Sequence, residues 1–205
     1  MGLTLHFSAT LRDPSSHAPL TAEVADICQS MDWPYQLFND TCDAPADAFP
    51  LEPGTVQNGQ KTLHLNGLLF TPPECETVAL IFTQSGRSCP PWHVDMAESL
   101  AQIRPDMVYN LHVKTQFAGP DTHVALVSLL QYLSRRYFAH IEVVDEGHYW
   151  ETLDRAVLDQ RFREYWGLFD AVEAALKGED WKDAETPGEI ADRMEEIIRR
   201  KFGKG

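Results

Sequence analysis

Residues 62–70 read TLHLNGLLF, and the way this stretch is read decides the layout of the sheet. Asn66-Gly67 between apolar residues is a strong signal for a two-residue hairpin, because both residue types accept the positive φ that such a turn needs. A hairpin here leaves arms of only about four residues, short for a pair of strands. One strand through Asn66-Gly67 is therefore the preferred reading, with the hairpin as its alternative. The following TPPECE is a turn, and residues 77–84, TVALIFTQ, make the next strand. On the other side, residues 40–60 are rich in Asp, Pro, Ala and Gly and read as an irregular connection, preceded by a short strand over 35–39.

Further out, residues 3–11 alternate strictly, with Leu3, Leu5, Phe7, Ala9 and Leu11 on one face and Thr4, His6, Ser8 and Thr10 on the other. That period of two marks a half-buried strand. Leu20, Val24, Ile27 and Met31 recur at helical spacing and predict a helix over 18–33. Residues 93–102 read as a short helix and 107–117 as a strand. Asp121 is placed to cap a helix over 122–137. HIEVVD over 140–145 is the last strand, and a long amphipathic helix follows over about 153–177. Thr186-Pro187-Gly188-Glu189 is a capping box that opens a final helix.

The expected class is α+β. The arrangement expected is a ferredoxin-like sandwich with a mostly antiparallel sheet, an extra strand pair and two C-terminal helices. Residues 1–177 form a single domain in this reading. Residues 178–205 supply a polar linker and an amphipathic helix, packed on the domain or on a partner.

The chain has 205 residues and a formal net charge of −14. An acidic surface disfavours nucleic acid and anionic membranes, whose affinity comes mainly from Lys and Arg meeting phosphates. The start carries no basic segment followed by an apolar one, and no run approaches a membrane span. Cys28, Cys42, Cys75 and Cys89 form no C-x-x-C pair and read as reduced thiols of a cytoplasmic protein. Walker A, G-x-G-x-x-G, H-E-x-x-H, EF-hand and G-x-S-x-G patterns do not occur.

The dipeptide Leu-His recurs inside three expected strands, LTLHFS, KTLHLN and YNLHVK. Side chains alternate across a strand, so each histidine points away from its leucine. With the leucines on the core, His6, His64, His112, Lys114 and Gln116 lie on the opposite, polar face. Solvent contact alone accounts for such a face. A ligand surface is the sharper reading, and Lys114 favours an anion or carboxylate over a cation. If the three strands are neighbours in matching register, His6, His64 and His112 can instead hold Zn²⁺ with an open position, Asp145 or Glu146 acting as base. A second-choice site is DEGHYWET, where Asp145, Glu146 and His148 surround Tyr149 and Trp150; its plain reading is an anchor for the long helix. In GPDTH, Asp121 and His123 read as an ordinary helix start.

GLTLHFSATL, VKTQFAGPDTHVALVSLLQYL and VVDEGHYWET together resemble an uncharacterised family of bacterial proteins that begin G-L-T-[IL]-H-[FY] and carry K-T-Q-[FY] and D-E-G-x-Y-W-E-T stretches. The resemblance spans roughly residues 2–155. It implies only a bacterial origin, and no function is carried over from it. The leading expectation is a cytoplasmic protein that binds a small anionic ligand or peptide on the polar sheet face, without a cofactor. The alternatives are a zinc-dependent hydrolase and an interaction protein that forms a homodimer through its C-terminal helices.

Overall fold

A computed structural model describes residues 3–104, 106–177 and 186–202. In it, β3 (Gln60–Phe70) runs straight through Asn66-Gly67. Gly67 sits opposite Phe38 of β2 (Tyr35–Pro45) and Ile81 of β4 (Val78–Thr83). A Cβ at Gly67 would lie 2.0 Å from the Leu80 carbonyl oxygen. The glycine serves close approach of a neighbouring strand rather than a turn.

β2 is longer than its sequence suggests. Its register with β3 is unbroken from Tyr35–Phe70 to Pro45–Gln60. Asp40, Asp43 and Pro45 have low strand propensity, but pairing with β3 overrides it.

The remaining elements are β1 (Thr4–Leu11), α1 (His17–Ser30), α2 (Trp92–Asp95), α3 (Ala97–Ile103), β5 (Leu111–Lys114), α4 (Gly119–Arg136), β6 (Phe138–Asp145), α5 (Tyr149–Thr152), α6 (Arg155–Lys177) and α7 (Pro187–Phe202). The strands form two antiparallel three-stranded sheets, β2-β3-β4 and β5-β1-β6. The α+β class therefore stands, whereas the single ferredoxin-like sheet gives way to two. The reason is the way β1 spends its edge. Residues 4–7 pair with β5, while the Leu11 N–H donates to the Gly86 carbonyl at 2.8 Å and the Ser88 N–H to the Ala9 carbonyl at 2.9 Å. Residues 86–89 also bond back to β4, through Cys89 N–H to Ile81 O and Thr83 N–H to Arg87 O, each 2.8 Å. This short arm stitches one sheet to the other.

α1 packs mainly on β3 and α4 on β6. Leu5, Phe7, Leu20, Leu65, Leu80, Val127 and Leu133 belong to one continuous core. β4 is buried along its whole length, as a strand covered on both faces should be. A smaller cluster of Leu3, Leu158 and Phe162 docks α6, and α7 packs on α6. The expected capping box forms, with the Glu189 N–H donating to Thr186 Oγ1 at 3.3 Å and the Thr186 N–H to Glu189 Oε2 at 2.9 Å.

Two expectations change. Only residues 111–114 of the expected strand 107–117 form a strand, because 107–109 form a 3-10 turn that buries Val108 and Tyr109. Asp121 is not the cap of α4, which starts at Gly119; Asp121 instead pairs with Arg155 of α6 at 2.6 Å. Among the described residues no helix is long and apolar enough to cross a membrane.

Candidate functional site

The alternation of β1 sends Leu5, Phe7, Ala9 and Leu11 into the core and leaves His6, Ser8 and Thr10 on an outer face, partly exposed. β5 repeats this, with Leu111 and Val113 buried and His112 and Lys114 exposed. His6 stands directly opposite His112. The Thr115 N–H donates to the Leu3 carbonyl at 2.8 Å, so the closely bonded pairs fall on odd residues of β1. His6–His112 is then a non-hydrogen-bonded pair, the kind that brings side chains closest. Their ring centroids are 6.2 Å apart.

Lys114 lies on the same face, opposite Thr4. Its backbone N–H donates to Glu76 Oε2 at 2.9 Å, and its Nζ is 3.8 Å from Glu76 Oε1, a loose and half-exposed pair. Partial desolvation against the neighbouring groups holds the His112 imidazole below the ordinary histidine range although its outer edge meets solvent; Glu76 opposes this, while His6 and Lys114 add to it. Burial likewise lowers nearby His93, against a bond from its Nδ1 to the Val108 carbonyl at 3.3 Å. On the far side of β1, Val144, Glu142 and His140 face His6, Ser8 and Thr10. There the surface dips into a cleft of about 230 Å³ lined by Ser8, Thr10, Arg87, Tyr109, His140 and Glu142. The Arg87 guanidinium lies 5.4 Å over the Tyr109 ring, and among the described residues it makes no ion pair with a carboxylate.

Of the five expected ligand residues, His6, His112 and Lys114 come together. Gln116 does not join them: it is 9% exposed and its Oε1 accepts the Leu3 N–H at 3.2 Å. His64 belongs to the other sheet, opposite Thr41. There it lines a separate polar cleft of about 450 Å³ with Asp43, Thr62, Gln57, Gln60 and Gln84. The three imidazoles of the zinc reading are thus divided between two sheets. Among the described residues no group of three His, Cys, Asp or Glu side chains is placed to hold a metal ion.

The second-choice site serves as a joint. Asp145 is 2% exposed. Its carboxylate accepts the N–H groups of Gly147 (2.7 Å), Tyr149 and Trp150 (2.8 Å each), which start α5, and His123 Nε2 lies 3.1 Å away. Burial alone would raise its pKa, but these donors outweigh burial and hold it below the usual carboxylate range. Glu146 extends the pairing of β1 by accepting the Thr4 N–H at 2.9 Å. His148 takes a left-handed conformation, φ 57°, at the start of α5 and is exposed.

Sequence reasoning missed the roles of two residues, His123 and Arg87. His123 is fully buried and joins Asp145 to Thr115, whose Oγ1 is 2.7 Å from His123 Nδ1. The signal was present, since His123, Val127 and Leu130 share one helical stripe. Arg87 carried no such signal, because only the stitch between the sheets brings it beside Thr10. No protein-family model, curated protein or solved structure matches this chain.

Proposed function

We propose that the chain is a binding protein for a small anionic ligand, held on the outer face of the β5-β1-β6 sheet by His6, His112 and Lys114. The observation that carries this reading is the facing pair of imidazoles, 6.2 Å apart beside an exposed ammonium. An anion between the rings supplies the counter-charge that offsets the cost of a proton on His112. Arg87 adds a further cationic group along the same face, in a cleft it shares with the carboxylates of Asp106 and Glu142. The high net negative charge of the chain makes this local patch selective rather than generally sticky for anions. Four unbridged cysteines support a reducing, cytoplasmic setting.

The test is a titration of the imidazole ring protons of His6 and His112 by NMR, with inorganic phosphate and with citrate, at pH 6 and pH 8. Saturable shifts of both rings, stronger at pH 6 and weakened about tenfold in His112→Gln and Lys114→Gln, are expected. Absence of saturable shifts, or shifts that survive both variants, would sink the reading.

Self-association through the C-terminal helices is the second reading. It is supported by an exposed aromatic chain, with Phe117–Trp166 and Trp166–Phe169 ring centroids each 6.1 Å apart. Sedimentation tests it: a dimer that falls apart in Trp166→Ser supports it, and a monomer ends it.

A further inference from the structure

β2 is the outermost strand of its sheet, and among the described residues no other strand lies on its far side. The Thr71 N–H donates to the Pro34 carbonyl and the Ala46 N–H to the Gly59 carbonyl, both at 2.9 Å. With this register, even-numbered residues of β2 bond to β3, and Tyr35, Leu37, Asn39, Thr41 and Asp43 turn their N–H and C=O groups outward. Asp40 Oδ1 accepts the Thr41 N–H at 2.7 Å, closing one of these donors. α3 lies beside the Pro45 end. The open stretch is therefore Tyr35–Asn39.

Free edges are usually guarded by Lys, Pro or a bulge. β2 has none of these before Pro45, and its register is unbroken. Beside it, a groove of about 480 Å³ runs between Ala18, Ala22 and Ala25 of α1 and the exposed side chains of Tyr35 and Leu37. Leu37 is 61% exposed, which is high for a leucine in a strand next to a helix. Neither α1 nor β2 contains a single Lys or Arg, while Asp26 lines the groove and Asp40 and Asp43 follow the open stretch further along β2.

An edge offers backbone bonds only to an extended chain, and a groove beside it accepts every second side chain of that chain. The acidic border selects a basic occupant, and it argues against a second copy of a chain whose formal net charge is −14. We propose that the free edge of β2 and the groove along α1 form a docking surface for an extended segment of a partner protein. That segment carries apolar residues at alternate positions, flanked by Lys or Arg. This surface is separate from the anion face, because it lies on the other sheet.

The test is a selection of displayed twelve-residue random peptides on the full chain, followed by fluorescence anisotropy with a synthetic peptide from the enriched pool. Enriched sequences should alternate apolar residues and carry basic flanks. Asn39→Pro removes an outward N–H while leaving the β3 side of the strand intact, and should weaken binding at least tenfold. Leu37→Lys, at an exposed position that does not threaten folding, should do the same, and His112→Gln should bind like the unaltered chain. Failure to enrich, enrichment of acidic or non-alternating peptides, or equal binding by Asn39→Pro and Leu37→Lys would overturn the proposal. So would a dimer of the unaltered chain that Asn39→Pro dissociates, since that would make a second copy the occupant.

Discussion

Asp145 accepts the N–H groups of Gly147, Tyr149 and Trp150 while facing His123, all within the protein interior. An amide keeps one accepting oxygen and turns the other position into an N–H donor, so Asp145→Asn leaves donors unmet and should cost about 3 kcal/mol in urea unfolding. Because the folded-state pKa of Asp145 is lowered, its contribution is present above about pH 3.9 and is lost as the pH falls through the folded value. His93 and His112 make stability fall with falling pH in the same way, but in a higher pH range. Their folded pKa values are also lowered, so below about pH 6.5 the unfolded chain binds protons that the folded chain resists. Stability should fall between pH 7.5 and pH 5.5, and His112→Gln should flatten that slope; an unchanged slope would show that His112 titrates normally. At this scale the sequence was informative where a residue obeyed a period. Alternation placed His6, His112 and Lys114 on one face correctly. It failed for Gln116, which lies past the end of β5, where alternation no longer applies. Asp145 was picked for its chemistry, but its partner His123 sat on a stripe already rich in apolar residues and was read as part of an ordinary helix start.

At the scale of elements, Gly67 is the most demanding position. Gly67→Ala puts a methyl group against the Leu80 carbonyl, and separating β3 from β4 should cost about 3 kcal/mol or more. Unfolding at the unaltered urea midpoint would show that the strands can part cheaply. At the other end of the chain, Thr186→Ala removes half of the capping box and should cost α7 about 1 kcal/mol, read as faster hydrogen exchange in residues 188–191 with little change in the sheets. The box was legible because its two side chains are local partners three residues apart. The true length of β2 was not, because the bonds that hold Asp40–Pro45 extended come from β3, some twenty residues away in sequence. The end of β5 was misplaced for a similar reason: residues 107–109 are apolar enough for a strand, and what turns them aside is burial of Val108 and Tyr109.

At the scale of the molecule, alternation says which face of a strand is buried but not which strand lies beside it. That is why one sheet was expected and two are found, and why His64 was grouped with histidines that it never meets. The joint between the sheets rests on Ser88. This residue is fully buried, accepts the Ala9 N–H on its Oγ at 3.0 Å and donates from that oxygen to the Tyr109 carbonyl at 2.6 Å. Ser88→Ala leaves both backbone groups without a side-chain partner and should cost about 2–4 kcal/mol. Hydrogen exchange should quicken in β1 and β4 together; faster exchange in one sheet alone would mean that the sheets unfold independently.

The pairing of β1 also sets a timetable. Its partners, β5 and β6, lie more than a hundred residues further along the chain. On a ribosome adding about 5–20 residues per second, β1 emerges on the order of ten seconds before the last of them. During that interval its alternating apolar face has no strand to pair with, whereas β2, β3 and β4 follow one another and can meet at once. Assembly of this protein should therefore begin in its middle and finish at its first strand, which spends its early life as the segment most in need of shielding.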